Sequence, residues 1–566
     1  MKINISKIKW KNDNWKLLCP VIHMVVSVLF SALFFRHDPL PFELMLPARD
    51  IFYSQGCERT VHILMSLLFG FLLICIIWHI LFLLIEKKRK FPFLLVALSF
   101  VISVLVLPGN FTYEPDNLLS YSFAVRNIAD YWQSVYLGCL YRGALYVFPH
   151  PMALPFIQLT SLIGVVYYIS EKVRSLFGKT QAILTWLIVL LPEFWEIGIN
   201  PYRNCIYTIM SLWFFSVLFF DCIEKKKRSV REVLFICFAG AFLSVFRSEG
   251  IIAAGVLLAA LLMIYKVPVK KLYRLLLFTV CVCVAFSIPQ KLGEKKYYGK
   301  DYSMINNMNI LKDVLSDKNV NLEFDTAEED LTAINRIVPL EGLMIYGIQE
   351  YRANNFVKNN TVNQSFASKE EQDAFIKGAR DIILHNPGVF LKNRLAVFCE
   401  ANGISSEREG VYPSEEYLQL YATLVTQWNY SYEEIITDSY PVFLFQNEAK
   451  IDLSNKLTDI QNAYYGFIYG GSLFFVSRIL IFLLFPVLIL YDIRISGKKE
   501  RIFFAWTELL LLVQLAAIIL FSPEGRRVYY YAVFYVMLLG CFLLSLDIIK
   551  KSRAVKEMLP PVTNKL

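Results

Sequence analysis

The feature that most constrains this chain is a recurrence of apolar runs close to the length needed to cross a bilayer. A membrane helix takes about 20 mostly apolar residues. Twelve runs of that kind occur, at 17–35, 61–85, 91–108, 152–170, 181–195, 204–223, 232–246, 250–265, 274–289, 471–490, 502–521 and 530–548. Over the 566 residues, 56% are hydrophobic and 19% are charged. A soluble chain is about 45–50% apolar and about 25% charged, so no water-soluble core could bury this much apolar surface. Disorder, collagen and small disulfide scaffolds are excluded on the same ground. The expectation is an all-α integral membrane protein of about twelve transmembrane helices.

Charge between the runs sets the orientation. The connections after even-numbered runs read EKKRK (86–90), EKVRSLFGK (171–179), EKKKRSVRE (224–232), KVPVKKLYR (266–274) and DIRISGKKER (492–501), and the tail carries KKSRAVKE (550–557). The N-terminus adds Lys2, Lys7, Lys9, Lys11 and Lys16. Connections after odd-numbered runs are acidic or mixed. Cytoplasmic loops carry the Lys and Arg excess, so the alternation predicts a multi-pass cell-membrane protein with both termini in the cytosol. The +9 net charge then needs no nucleic-acid partner. The first apolar run is too long for the core of a cleaved signal and lacks an A-x-A-like site, so it reads as a retained span.

Three domains follow: a membrane domain over 1–289 with nine spans and an extracytosolic loop at 109–151, an extracytosolic domain over 290–462, and a membrane domain over 463–566 with three spans. The middle segment holds 26 Asp and Glu against 17 Lys and Arg. It therefore carries −9 and the remainder +18, which makes the molecule electrically two-sided. Within it, 369–383 and 389–399 read as helices separated by a turn at His385-Asn386-Pro387-Gly388. The second is expected to lie amphipathically on the membrane surface, with Lys392 and Arg394 on its polar face. The eleven cysteines fall mostly in or near spans and form neither a disulfide framework nor a zinc spacing.

In a chain with so few charges, charges on the far side of the membrane are conspicuous. Glu114-Pro115-Asp116 follows a span directly. Its carboxylates suit a general base or a divalent cation, or simply a capped loop start. The helical turns after it carry Arg126, Asp130 and Arg142, and their Tyr and Trp residues are expected to anchor them in the interface. Arg247 and Glu249 sit between two short apolar runs, as an exposed ion pair or as the lining of a cavity. Arg526 and Arg527 stand at the outer end of a span, against the positive-inside tendency. They suit a lipid phosphate or headgroup anchoring, with Tyr529, Tyr530 and Tyr531 as an interface belt. Glu193 and Glu196 lie on a short rim. Arg478 lies within a span on the same side, whereas Glu508, deeper in another, is expected to snorkel.

An acidic pair in a far-side loop soon after an early span, amphipathic helices behind it, many spans and a large late extracytosolic segment resemble the GT-C class of membrane glycosyltransferases. The likeness is nearest to bacterial relatives of protein mannosyltransferases and lipid A aminoarabinose transferases, and covers the layout of about 100–548. It implies Asp116 as catalytic base with Glu114 as alternate, and Arg526 and Arg527 on the donor phosphate, assisted by Arg247, Glu249 and Arg478. Where such proteins often carry a basic-acidic pair, this chain has Arg203-Asn204; Glu193 or Glu196 could supply the missing acid. Two extra spans before the acidic loop also depart from the simplest pattern.

The implied activity is transfer of a sugar from a polyprenyl-phosphate donor to a glycan, lipid or protein acceptor on the extracytosolic side. No cofactor follows from the residues beyond a divalent cation at the carboxylates. Rival readings are a polymerase or ligase of the O-antigen type, using a diphosphate donor, and a transporter or flippase of lipid-linked sugars. A transporter would show paired halves with broken helices, and no such halves are found.

Overall fold

The computed structural model describes residues 14–34, 57–105, 134–149, 152–293, 302–340, 368–402, 472–495, 498–522 and 527–558, with isolated positions between them. Among these residues the protein is all-helical, with no β-strand. Glu114, Asp116, Arg126, Asp130 and Arg526 lie outside the described residues.

The helices in order are α1 (Asn14–Phe34), α2 (Cys57–Glu86), α3 (Lys90–Leu105), α4 (Val135–Val147), α5 (Ala153–Phe177), α6 (Lys179–Leu184), α7 (Pro192–Ile199), α8 (Arg203–Glu224), α9 (Val230–Phe246), α10 (Ile251–Met263), α11 (Val269–Gly293), α12 (Tyr302–Leu315), α13 (Ala327–Ile337), α14 (Lys369–His385), α15 (Pro387–Ala401), α16 (Ser472–Ile495), α17 (Lys498–Phe521) and α18 (Tyr531–Met558). Among the described residues six helical stretches are long and apolar enough to cross a membrane: Arg59–Glu86, Ala153–Phe177, Arg203–Glu224, Val269–Gly293, Ile502–Phe521 and Tyr531–Ser552. Shorter apolar stretches, Leu18–Ser31, Lys90–Val101 and Ile251–Met263, accompany them.

The run expected as one span at 181–195 is instead three short pieces: α6, a 3-10 turn at Thr185–Leu190, and α7. Pro192 explains the break. A residue before proline is pushed out of the helical region, and Leu191 is extended at φ −81°, ψ 133°. Pro192 then opens α7, where its missing N–H costs nothing.

The bundle divides into sheathed and peripheral helices. α5 and α8 are mostly buried and pack on each other and on α18, and α5 also packs on α2. α11 is apolar around most of its circumference, with Val280, Val284 and Ile288 all exposed. A helix apolar all round and bare on the outside fits a lipid-facing position.

The turns behind the acidic loop were expected to lie in the interface, yet every residue of α4 is buried. α4 lies against α1, α2 and α5. Its approach to α2 is backbone on backbone: a Cβ added at Gly143 would stand 2.8 Å from the Gly70 nitrogen. Small residues permit such crossings in membranes. Arg142 is carried into the core and satisfied there, donating to Ser31 Oγ at 2.7 Å and to the Val125 carbonyl at 3.1 Å.

Residues 302–402 contain a second small core of Leu311, Val314, Ile334, Phe375, Ala379 and Ile382, from α12, α13 and α14. Ser368 and Glu371 form a reciprocal capping box that starts α14. Asn386 ends α14, and Pro387 starts α15, as the sequence predicts. α15 does not present Lys392 and Arg394 on one polar face. Residues two apart on a helix do not face the same way, and Lys392 is 64% exposed while Arg394 is fully buried. Arg394 pairs with Asp313 of α12 and donates to the Ser522 carbonyl at 2.6 Å. One guanidinium thus ties this subdomain to the carbonyl end of α17, where a cation suits the helix dipole.

Near the C-terminal end of α8, buried Asp221 accepts two hydrogen bonds from Arg228, at 2.7 and 2.9 Å, and one from the Tyr265 hydroxyl at 2.6 Å. In the same basic connection, Ser229 caps α9 reciprocally with Glu232. The Ser229 backbone N–H, then Arg228, hold the Glu232 carboxyl down at about 2. Glu508 does not snorkel: it is buried, and its Oε1 has no hydrogen-bond partner among the described residues. The side chain faces the bundle, not the lipid.

Candidate functional site

Charged side chains from α7, the α9–α10 hairpin, α16 and the turn before α18 converge, with Asn402 just beyond α15. α7 supplies two carboxylates one turn apart. Glu193 accepts from Arg478 Nη2 of α16 at 3.0 Å, and Arg478 Nη1 donates to Asn402 Oδ1 at 3.1 Å, immediately beyond α15. Both partners are buried, Arg478 completely. Its guanidinium also lies 4.7 Å from the Phe534 ring and 5.8 Å from the Tyr531 ring. A cation over aromatic faces is stabilised further when desolvated.

Glu196 is the next carboxylate on the same face of α7. Its Oε2 accepts the Tyr531 hydroxyl. Burial pushes the Glu196 carboxyl up, opposed by the charge of Arg527, which lies in the 3-10 turn Arg527–Tyr529 that precedes α18.

The hairpin between α9 and α10 carries the third pair. Ser248–Gly250 forms one 3-10 turn. A Cβ at Gly250 would lie 2.0 Å from the Leu243 carbonyl, so only glycine allows the turn to close this tightly. Arg247 grips Glu249 in fork geometry, Nε to Oε2 at 3.0 Å and Nη2 to Oε1 at 2.5 Å. Burial opposes the charge on Glu249. The Arg247 charge and its two hydrogen bonds outweigh that and hold the carboxyl at about 2. Arg247 lies between two rings, 5.9 Å from Tyr207 of α8 and 5.7 Å from Tyr529. Its remaining nitrogen, Nη1, makes no hydrogen bond among the described residues.

Four residues singled out from sequence, Arg247, Glu249, Arg478 and Arg527, are thereby gathered around the segment 527–534. The tyrosines expected as an interface belt do otherwise. Tyr530 and Tyr531 are fully buried, because this end of α18 turns its rings inward onto guanidinium groups and onto Phe398. The Tyr530 hydroxyl and the Asn204 Nδ2 are buried without a hydrogen-bond partner among the described residues. Orphaned polar groups of this kind mark places where water or a ligand supplies the missing bond.

Asn402, Tyr207 and the structural use of Glu193 and Tyr531 escaped sequence reasoning. Single polar residues carry no periodic signal, and their partners are remote in the chain. Among the described residues, no group of three or more His, Cys, Asp or Glu side chains is placed to hold a metal ion. In comparisons with known proteins, the chain matches no family model, no curated protein and no solved structure.

Proposed function

We propose that this chain is a multi-pass membrane glycosyltransferase of GT-C type, moving a sugar from a polyprenyl-phosphate donor to a glycan, lipid or protein acceptor at the extracytosolic face. The reading includes about twelve spans with both termini cytosolic, and the division at 1–289, 290–462 and 463–566. The observation that supports it is the convergence of Arg247, Arg478 and Arg527 with Glu193, Glu196 and Glu249 at one end of the bundle. Arginine matches phosphate oxygens through paired, charge-assisted hydrogen bonds. A polar, part-buried cluster beside membrane helices suits a ligand with an anionic head and an apolar tail.

In this mechanism Arg526 and Arg527 bind the donor phosphate and stabilise it as it leaves. Arg247 offers its Nη1 edge. Arg478, locked by Glu193 and Asn402, fixes the floor on which the others sit. Asp116, with Glu114 as alternate, takes the acceptor hydroxyl proton as the oxygen attacks the anomeric carbon. These contributions are positioning and electrostatics. A divalent cation, if the reaction uses one, belongs with Glu114 and Asp116.

The test is sugar transfer from a radiolabelled polyprenyl-phosphate donor by the purified full chain in lipid nanodiscs. Asp116→Asn should abolish transfer while leaving donor binding in place, and Arg526→Ala/Arg527→Ala should raise the donor concentration required. Full activity in Asp116→Asn removes the base. Unchanged donor dependence in the arginine variant reduces those residues to headgroup anchors.

A further inference from the structure

The three carboxylates of the cluster are not equivalent. Glu193 is buried with an oxygen committed to Arg478. Glu249 has both oxygens committed to Arg247. Glu196 is half-buried, and among the described residues its one hydrogen bond is to the Tyr531 hydroxyl, on Oε2. A carboxyl group keeps acceptor positions on its two oxygens in either protonation state. Glu196 therefore keeps acceptor capacity on its other oxygen, while Tyr531 holds its orientation; burial pushes the carboxyl up, against the opposing Arg527 charge.

Its neighbour decides what it meets. If Arg527 holds the donor phosphate, a group reaching Glu196 from that phosphate is the sugar attached to it. Sugar hydroxyls are donors, and a carboxyl oxygen with no other partner accepts from them. We propose that Glu196 is a specificity-determining residue that accepts a hydrogen bond from a hydroxyl of the transferred sugar, with Tyr531 as the positioning residue that fixes its rotamer. This rests on the glycosyltransferase reading. It adds a role in sugar choice that neither the acidic loop nor the arginines supply, since they act on the acceptor proton and the phosphate.

Selectivity of this kind arises because an acceptor turned away from bulk water is penalised when its donor is missing. The experiment uses the full chain in nanodiscs with polyprenyl-phosphate hexoses and their singly deoxygenated analogues. The unchanged chain should lose about 100-fold in kcat/KM for the one analogue lacking the contacted hydroxyl. Glu196→Ala should show the same loss with the complete sugar and no further loss with that analogue. Tyr531→Phe, which removes only a hydroxyl, should weaken discrimination by about tenfold with little change in the apolar packing of α18. A Glu196→Ala protein that discriminates among the analogues as the unchanged chain does overturns the proposal alone. Absence of transfer by the unchanged chain from every such donor overturns the glycosyltransferase reading, and this proposal with it. Tyr531→Phe also guards against misfolding of the Glu196 variant. Unaltered discrimination in a well-folded Tyr531→Phe protein removes the positioning role.

Discussion

Replacing Glu193 by Gln tests whether the Glu193–Arg478 pair is the structural lock of the cluster. The substitution preserves volume and an acceptor oxygen but removes a carboxylate hydrogen-bonded to the completely buried Arg478 guanidinium. Breaking one side of a buried ion pair costs about 3–5 kcal/mol, because the remaining charge stays desolvated. Two features pull the expected value just below that range. Asn402 still accepts from Nη1, and the Phe534 ring at 4.7 Å contributes up to about 2 kcal/mol when desolvated. The expected cost is therefore about 2–3 kcal/mol, read as a lower unfolding free energy when purified protein in mixed micelles is titrated with SDS and followed by tryptophan fluorescence. Trp195, two residues along α7, is a convenient reporter. The double variant Glu193→Leu/Arg478→Met should recover to within about 1 kcal/mol of the unchanged chain, since an apolar replacement of a buried pair is often neutral or stabilising. A loss below about 0.5 kcal/mol in Glu193→Gln, or a double variant worse than either single one, would refute the reasoning.

Other consequences are equally direct. Gly143→Ala forces a Cβ to 2.8 Å from the Gly70 nitrogen and should destabilise by about 1–3 kcal/mol as an overpacked core does; Gly388→Ala, with nothing within 4 Å, should be neutral or slightly stabilising in the same SDS titration. Arg394→Ala should expose the amides of 302–340 to hydrogen exchange while those of α5 and α8 remain protected, and equal protection in both proteins would contradict the docking role of the Arg394–Asp313 pair. Glu249 has a folded value of about 2 against an ordinary 4.5, so its contribution to stability is complete above about pH 4.5 and is lost as the pH falls toward 2. Glu249→Gln should flatten that part of the stability–pH profile, and parallel profiles for the two proteins would sink the assignment.

How much of this was legible in the sequence depended on the distance over which each signal acts. An apolar run is a local property, so α5 and α8 stand almost where the runs at 152–170 and 204–223 place them. The Pro387 restart of α15 is local as well. The broken stretch around Pro192 carried its own warning, since proline moves its predecessor out of the helix. Burial of α4 was not legible. A segment rich in Tyr with an Arg looks interfacial until Gly70, on another helix, lets the backbones meet. The pairings were the least accessible, because Arg478 finds Glu193 across 285 positions and Arg394 finds Asp313 across 81. Nothing in the pattern near any of these residues names its partner.

The pairings nonetheless change what the charges mean. In sequence, each arginine outside the basic loops is an anomaly of equal weight. In the fold, burial imposes a condition on each, since a desolvated guanidinium needs a compensating partner. Arg142 meets the condition with Ser31 and a backbone carbonyl, Arg394 with Asp313, Arg478 with Glu193, and Arg247 with Glu249. A buried one-to-one pair gives up one partner only at large cost, so an anionic ligand competes poorly for Arg394 or Arg478. It competes better where a guanidinium edge is left, at Nη1 of Arg247, and the half-buried Arg527 lies close by. Both flank Tyr529, and Glu196 lies beside the second. Ion pairing thus divides one charged cluster into a rigid part, which sets positions, and a smaller part near 527–529, where the proposed donor phosphate and sugar would bind.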